Sequence, residues 1–399
     1  MLQLPPEVPP AEGLRRLAGE GGVSGADLVL AFLPPSDALE EAVGALAELW
    51  PEAARAGCEA TTQFAGDRLA AGGTLHLFRF SGAGHRAEVE LVPGSVEEPP
   101  DAGRLAGIAG RLAEGLPVLL IVDGLRFPVQ PALAVLRAEL ARRGIEGRTP
   151  VAGGLASQGA PFTGPHARVF AGSRTHPSAL VAVTLRGLAA RIEVVRGWDP
   201  ASPIYTVTRA EGNVLWEIDA EPAAAWFRRF FTVDGRLAPL PETAWRFPLI
   251  VEGPRADRRG LYRSMRSFDD PAGAVTLWGD LETGDEVRLG MGNEASLVRR
   301  AAELARAAAG GRPEAAILYS CVGREVVLGE SAAQEIESVG RALGCPAVSG
   351  FFSFGEIGPT DDGGPAFYNH TAILVLLREE EDGAGAPEGG RAGAPEARG

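Results

Sequence analysis

The chain has 399 residues, 45% of them hydrophobic, which is enough for two or three domains with a sizeable core and argues against global disorder. Its formal charge is −14, of which the last 21 residues contribute −4 (six acids, two arginines), so the remainder is still acidic and repels phosphate backbones; no nucleic-acid partner is expected. All 38 basic residues are arginine, which excludes an intact Walker A loop, a lysine Schiff base and a kinase-type phosphate lysine, because each needs a primary amine.

Residues 1–24 are rich in Pro and Gly and read as a flexible leader. Their arginines come only after the prolines and no apolar segment follows, so this is not a secretory signal. No apolar run approaches the roughly 20 residues of a membrane span. The expectation is a cytoplasmic protein without membrane insertion.

Three stretches then share one order of events. The first runs from strand LVLAFL (28–33) through helix ALEEAVGALAELW (38–50) to ARAGC, with TLHLFRF (74–80) later. The second runs from PVLLIV (117–122) through helix PALAVLRAELARRG (131–144) to TPVAGG (149–154), with ALVAVTL (179–185) later. The third runs from AAILYSC (315–321) through helix AAQEIESVGRALG (332–344) to CPAVSG (345–350), with TAILVLL (371–377) later. A short apolar run, an amphipathic helix and a second apolar run ending at glycine make a βαβ unit with parallel strands. The later strand is expected as an antiparallel addition. The predicted fold class is α/β (α+β), mixed-sheet layers in two domains built from repeated strand–helix–strand units.

Between the second and third stretches, IYTVT, AEGN and VLWEI predict a β-hairpin, and Asp219 with Pro222 opens a helix. The proline-rich 234–247 reads as a linker between domains at 25–233 and 248–378. Asn293 is placed as the N-cap of a helix over 293–310. Residues 379–399 are acidic and low in complexity and read as a disordered tail.

Cys58, Cys321 and Cys345 show no CxxC spacing, and the five histidines form no close pair, so neither a disulfide framework nor a metal site is expected. There is no GxSxG and no HExxH. A thiol–imidazole pair of Cys321 with His370 is the one arrangement that would make a thiol-dependent enzyme.

Gly197-Trp198, Val207-Thr208, Ala210, Gly212-Asn213, Glu217, Asp219 and Pro222-Ala223 form one set of motifs. Ser320-Cys321, Arg324, Gly350-Phe351, Gly355-Glu356-Ile357-Gly358-Pro359, Asn369 and Thr371 form another. On these residues the chain resembles the FIST family, an N-type domain followed by a C-type domain, over about residues 25–378. The resemblance implies a sensory module of bacterial signal transduction that binds small ligands, with amino acids among the candidates, and acts through a separate signalling protein. It implies no required cofactor, although some relatives look like haem-based nitric oxide sensors. A scaffolding role is the remaining alternative.

The expected ligand-binding residues are Cys321, Arg324, Gly350, Gly355, Glu356, Asn369 and Thr371. Cys321 and Gly350 are placed at one edge of a parallel pair, with the loops after them facing each other. Arg324 would offer a planar positive fork and Glu356 a negative charge, a pair suited to a zwitterion.

Overall fold

The computed structural model describes residues 1–19, 25–70, 72–145, 147–158, 167–240, 242–253, 255–311, 313–345 and 347–380. Its frame is three six-stranded sheets with one strand order. In the first, Leu28–Leu33 crosses through helix Leu39–Leu49 to Ala54–Glu59, which lies parallel to it, and Thr74–Phe78 adds antiparallel on the other side. In the second, Val118–Val122, helix Val129–Arg142, Val151–Leu155 and Ala179–Arg186 repeat that arrangement. In the third it is Ala315–Cys321, helices Val322–Leu328 and Ala332–Leu343, Val348–Ser353 and Ala372–Glu379. The first strand of each unit is buried along its whole length, as a strand covered on both faces must be.

Each unit is followed by a hairpin that joins another unit's sheet. Gln63–Ala65 with Arg68–Ala70 pairs onto Val348–Ser353 of the third sheet. Val169–Ala171 with Arg174–His176 pairs onto Ala54–Glu59 of the first. Glu356–Pro359 with Pro365–Tyr368 pairs onto Val151–Leu155 of the second. The exchange closes a ring of three sheets. The opposite edges carry Leu2–Gln3, Arg86–Pro93 and Leu188–Val195, each antiparallel to its unit's last strand. Two of these edges are blunted by arginines that occupy an outward carbonyl, Arg104 at Leu91 and Arg148 at Ile192.

The flexible leader expected over 1–24 is not what the structure shows for its described part. Leu2–Gln3 is an edge strand and Pro10–Gly19 a helix, because Leu4, Ala11 and Leu14 bury an apolar face against Leu39, Val43 and Leu75. The linker expected at 234–247 falls inside an insert over 196–293, between helix Ala223–Phe231 and strand Leu249–Glu252. Strand pairing crosses that point repeatedly, since Leu188–Val195 lies on Ala372–Glu379. The insert is a nine-stranded antiparallel sheet, and it contains the expected hairpin Tyr205–Glu211/Val214–Ile218. Asn293 caps helix Glu294–Ala308, its Oδ1 accepting from Ser296 N at 2.9 Å. Of the tail expected over 379–399, Glu379 ends the last strand and accepts from Ser81 N at 2.7 Å, while 381–399 lie outside the described residues.

The three sheets share one core, to which helices Ala102–Ala113 and Val129–Arg142 add Leu105, Ile108, Leu133 and Leu136, while helices Leu39–Leu49 and Ala332–Leu343 pack in two further clusters. Phe32 of the first sheet meets Phe351 of the third at 4.7 Å between ring centroids, and Phe351 meets Tyr319 at 5.5 Å. Gly154 of the second sheet faces the same two rings. Each such ring, fully buried, contributes about 1.5–3 kcal/mol.

The glycine in the middle of each second strand has a packing cause. A Cβ on Gly350 would stand 1.9 Å from the Leu318 carbonyl oxygen, and Gly57 and Gly153 face Ala31 and Leu120 in the same way. Gly350→Ala is therefore expected to lower stability by about 1–3 kcal/mol through forced strand separation. Urea unfolding of the purified variant measures it; an unchanged midpoint would show that the strands separate without cost.

Candidate functional site

In the third sheet, Ala315–Cys321 and Val348–Ser353 end together, with Cys321 opposite Ser353. The chain leaves Cys321 into the short helix Val322–Leu328 and leaves Ser353 into the turn at Phe354 and Gly355. A third segment, Asn369 to Thr371, crosses the same edge and is held there by Cys321 N–H donating to Thr371 O at 3.0 Å. Crevices in α/β sheets open at the carboxyl ends of parallel strands. Here the insert overhangs the crevice with Trp245, Ser264 and Trp278, bounding a pocket that opens to solvent, with about 410 Å3 of space counted to its mouth. Cys321, Ser353 and Asn369 form its polar floor, with Val322, Val326 and Phe354 beside them.

The corresponding edges of the other two sheets are filled by side chains. In the first, Glu59 is bound by Arg168 at 2.8 and 2.9 Å and by Ser36 N at 3.0 Å. In the second, Asp123 accepts from Leu125 N at 2.9 Å and Arg126 N at 2.6 Å.

Of the expected site residues, Cys321 and Asn369 line the pocket. Arg324 does not. Its guanidinium is fully buried and paired with Glu335 of helix Ala332–Leu343, whose other oxygen accepts from Ser320 Oγ at 3.2 Å. The cause is strand alternation: Ser320 points to the helices while Cys321 points to the inner face, and the helix that follows carries Arg324 to the Ser320 side. Glu356 is also fully buried. It accepts from Ser353 Oγ at 2.6 Å, from Thr371 Oγ1 at 2.8 Å and from Thr371 N at 3.3 Å. It stands behind Ser353 and outside the pocket lining, so the expected Arg324–Glu356 clamp does not form. Thr371 holds Glu356 and does not face the pocket. Gly350 lies three residues inside its strand, with the packing role given above. Gly355, at φ 151°, is held to glycine because a Cβ would meet the Phe367 ring at 2.3 Å.

Burial raises the Cys321 thiol well above its ordinary value and the Glu356 charge adds to this, against backbone N–H groups of His370, Gly323 and Arg324 that favour the thiolate. Burial pushes the Glu356 carboxyl up to about 8, against the hydrogen bonds from Ser353 and Thr371. Burial, with the Arg324 charge, takes His370 down to about 3. His370 sits at φ 57°, its carbonyl accepting from Trp198 Nε1 at 2.7 Å. Its ring packs on Gly323 and edge-on to Trp198 at 5.0 Å. The imidazole is thus enclosed and is not part of the pocket wall, and neither ring nitrogen has a hydrogen-bond partner among the described residues. Among the described residues no group of three His, Cys, Asp or Glu side chains could hold a metal ion, and no helix is long and apolar enough to cross a membrane.

Trp245, Ser264, Trp278, Val326 and Ser353 escaped the sequence reading. Trp245 sits in the segment taken as a linker, and its Nε1 donates to Met265 O at 2.8 Å. Trp278 stacks on Phe354 at 5.8 Å and 26°, with the Arg266 guanidinium 4.8 Å from its ring. No local pattern places these segments over a strand end some 40 to 75 residues away.

A larger cleft of about 930 Å3 lies between helix Val129–Arg142, the insert and Pro365. Its charges satisfy one another, as in Arg137 with Asp362 at 2.9 Å and Arg258 with Asp285. The buried guanidinium of Arg263 is taken by the Asp280, Tyr262 and Phe367 carbonyls at 2.7, 2.9 and 3.0 Å. The smaller pocket at the strand ends has the form of a small-molecule site: apolar walls and a few convergent polar groups.

A family model described as the FIST N domain matches residues 27–221, and one described as the FIST C domain matches residues 223–359. An uncharacterized protein of Mycobacterium tuberculosis is similar at 28% identity over 269 residues, covering 65% of this chain and 67% of that protein. An uncharacterized protein of Mycobacterium bovis is similar at 28% identity over 243 residues, covering 58% of this chain and 61% of that protein. With both domain models in sequence over residues 27–359, the chain belongs to the FIST family.

Proposed function

We propose that the protein is a small-ligand sensor whose ligand sits in the pocket between the third sheet and the insert, and that it acts through a separate output partner. FIST domains are sensory small-ligand-binding domains. The observation that carries the reading is the roofed strand edge, where Cys321, Ser353 and Asn369 of the ring face Trp245 and Trp278 of the insert. A ligand there touches both bodies and so biases their packing, which is the differential contact a sensor needs. Binding is favoured over catalysis because the groups nearest the pocket are held inactive: the Cys321 thiol is kept protonated, Glu356 is raised and hydrogen-bonded away from it, and the His370 ring is enclosed.

The test is a thermal-shift screen of amino acids, organic acids and neutral heterocycles against the wild type and Val326→Trp, which fills the pocket. At least one compound is expected to raise the wild-type Tm and leave that of the variant unchanged. A ligand at 100 times its Kd stabilises by about 2.7 kcal/mol. A shift shared equally by both proteins, or none across the screen, contradicts the reading.

A further inference from the structure

The chemistry of the pocket wall narrows the ligand further, given the reading above that this pocket is the sensory site. No charged side chain lines it. The two charges that the sequence placed beside Cys321 are both committed elsewhere, Arg324 to Glu335 and Glu356 to Ser353 and Thr371. An ionised ligand would therefore leave its hydration shell for a site with no counter-charge, which is the costliest form of burial.

The walls are flat. Trp278 and Phe354 are stacked upon one another and the Arg266 guanidinium lies 4.8 Å from the Trp278 ring, so no ligand ring enters between the two aromatics and Trp245 is the wall left to lie against. Trp245 has its indole N–H bound to Met265 O, so it offers the pocket an apolar surface and no donor. A planar ring lying against such a wall gains stacking and apolar burial together. The space of about 410 Å3 counts a mouth open to solvent, so only a small occupant is held within the walls.

The floor can read an edge. The Asn369 carboxamide is 1% exposed and carries both a donor and an acceptor, its Oδ1 lying 3.4 Å from Ser264 N. A carboxamide pairs in bidentate fashion with another amide-like edge, as Asn and Gln do with adenine. Ser353 Oγ, bonded to Glu356 at 2.6 Å and within 3.3 Å of Ser320 O, keeps a lone pair to accept. We infer that the ligand is an uncharged, planar, single-ring molecule carrying an amide-like donor–acceptor edge, such as a ring carboxamide or a lactam, and not a zwitterionic amino acid.

Calorimetric titration of the full chain with matched probes tests this. Nicotinamide and nicotinate share one ring and differ in carrying a carboxamide or a carboxylate; uracil offers a lactam, and glutamine a zwitterion with an amide. Nicotinamide or uracil is expected to bind at least tenfold more tightly than nicotinate and glutamine, with the heat lost in Val326→Trp. The comparison is made on the wild-type chain, so it does not depend on a variant folding. Preferential binding of nicotinate or glutamine, lost in Val326→Trp, overturns the ligand class and leaves the sensor reading standing. Absence of heat from both neutral rings also overturns the class, while the broader thermal-shift screen separately decides whether the pocket binds anything.

Discussion

Replacing Arg324 by Ala is expected to lower stability by about 3–5 kcal/mol, the cost of leaving one partner of a buried ion pair uncompensated. Arg324 and Glu335 are both fully buried, and the pair lies between the third sheet and its helices. Arg324 Nη2 also lies 3.5 Å from Leu297 O, while its Nε and Nη1 have no hydrogen-bond partner. Arg324 is thus costly to bury and tolerable only because Glu335 is there. Removing the guanidinium leaves Glu335 with Ser320 Oγ as its remaining hydrogen-bond donor. The double change Arg324→Met with Glu335→Leu removes both charges and fills the same space, so it is expected to recover most of the loss. Urea unfolding of the single and double variants measures both. A single variant as stable as the wild type would show that the pair is not a structural element.

The second large effect is a pH dependence centred on Glu356. Its folded pKa, about 8, lies above the ordinary value of 4.5 because burial penalises the charged form. The native state therefore holds a proton that the unfolded chain releases between these values. The stability this contributes is complete below about pH 4.5 and is lost as pH rises through about 8. The slope is at most about 1.4 kcal/mol per pH unit over that window. Glu356→Gln keeps the shape and cannot ionise, so its stability is expected to flatten over the same range. His76 and His370 work in the opposite direction, since burial holds both imidazoles near 3. The stability they contribute is present above their unfolded value near 6.5 and lost as pH falls toward 3. Denaturation midpoints from pH 5 to 8.5 separate the two contributions: the variant removes the alkaline slope and leaves the acid one. Parallel profiles for wild type and Glu356→Gln would contradict the assignment.

Much of the fold was legible because it rests on local pattern. The strands at 28–33, 117–122 and 315–321 are continuously apolar, and each is followed by an amphipathic helix and a glycine whose Cβ would strike the neighbouring strand. The hairpin exchange was not legible. Gln63–Ala65 and Arg68–Ala70 are three residues each, too short to carry a period, and nothing in them names Val348–Ser353 as their partner. The leader misled because its prolines and glycines outweighed Leu4, Ala11 and Leu14, which are buried only once the first sheet exists.

The site divided along the same line. Cys321 and Asn369 were found because they flank buried strands, and strand ends are readable. Arg324 and Glu356 were read as a facing pair from their closeness to those ends. The direction of each side chain depends on strand parity and on which sheet receives the following hairpin, and Glu356 opens a hairpin that leaves for the second sheet. Trp245 and Trp278 come from the insert, whose seat over Cys321 is a tertiary fact with no local signature.

The most direct test is a crystal structure of the full chain with the compound that gives the largest thermal shift. The account expects ordered density for that compound against Trp245, within hydrogen-bond distance of Asn369, with Arg324 still on Glu335. Density in the charged cleft beside Arg137 and Arg263, with the pocket at Cys321 empty, would contradict it.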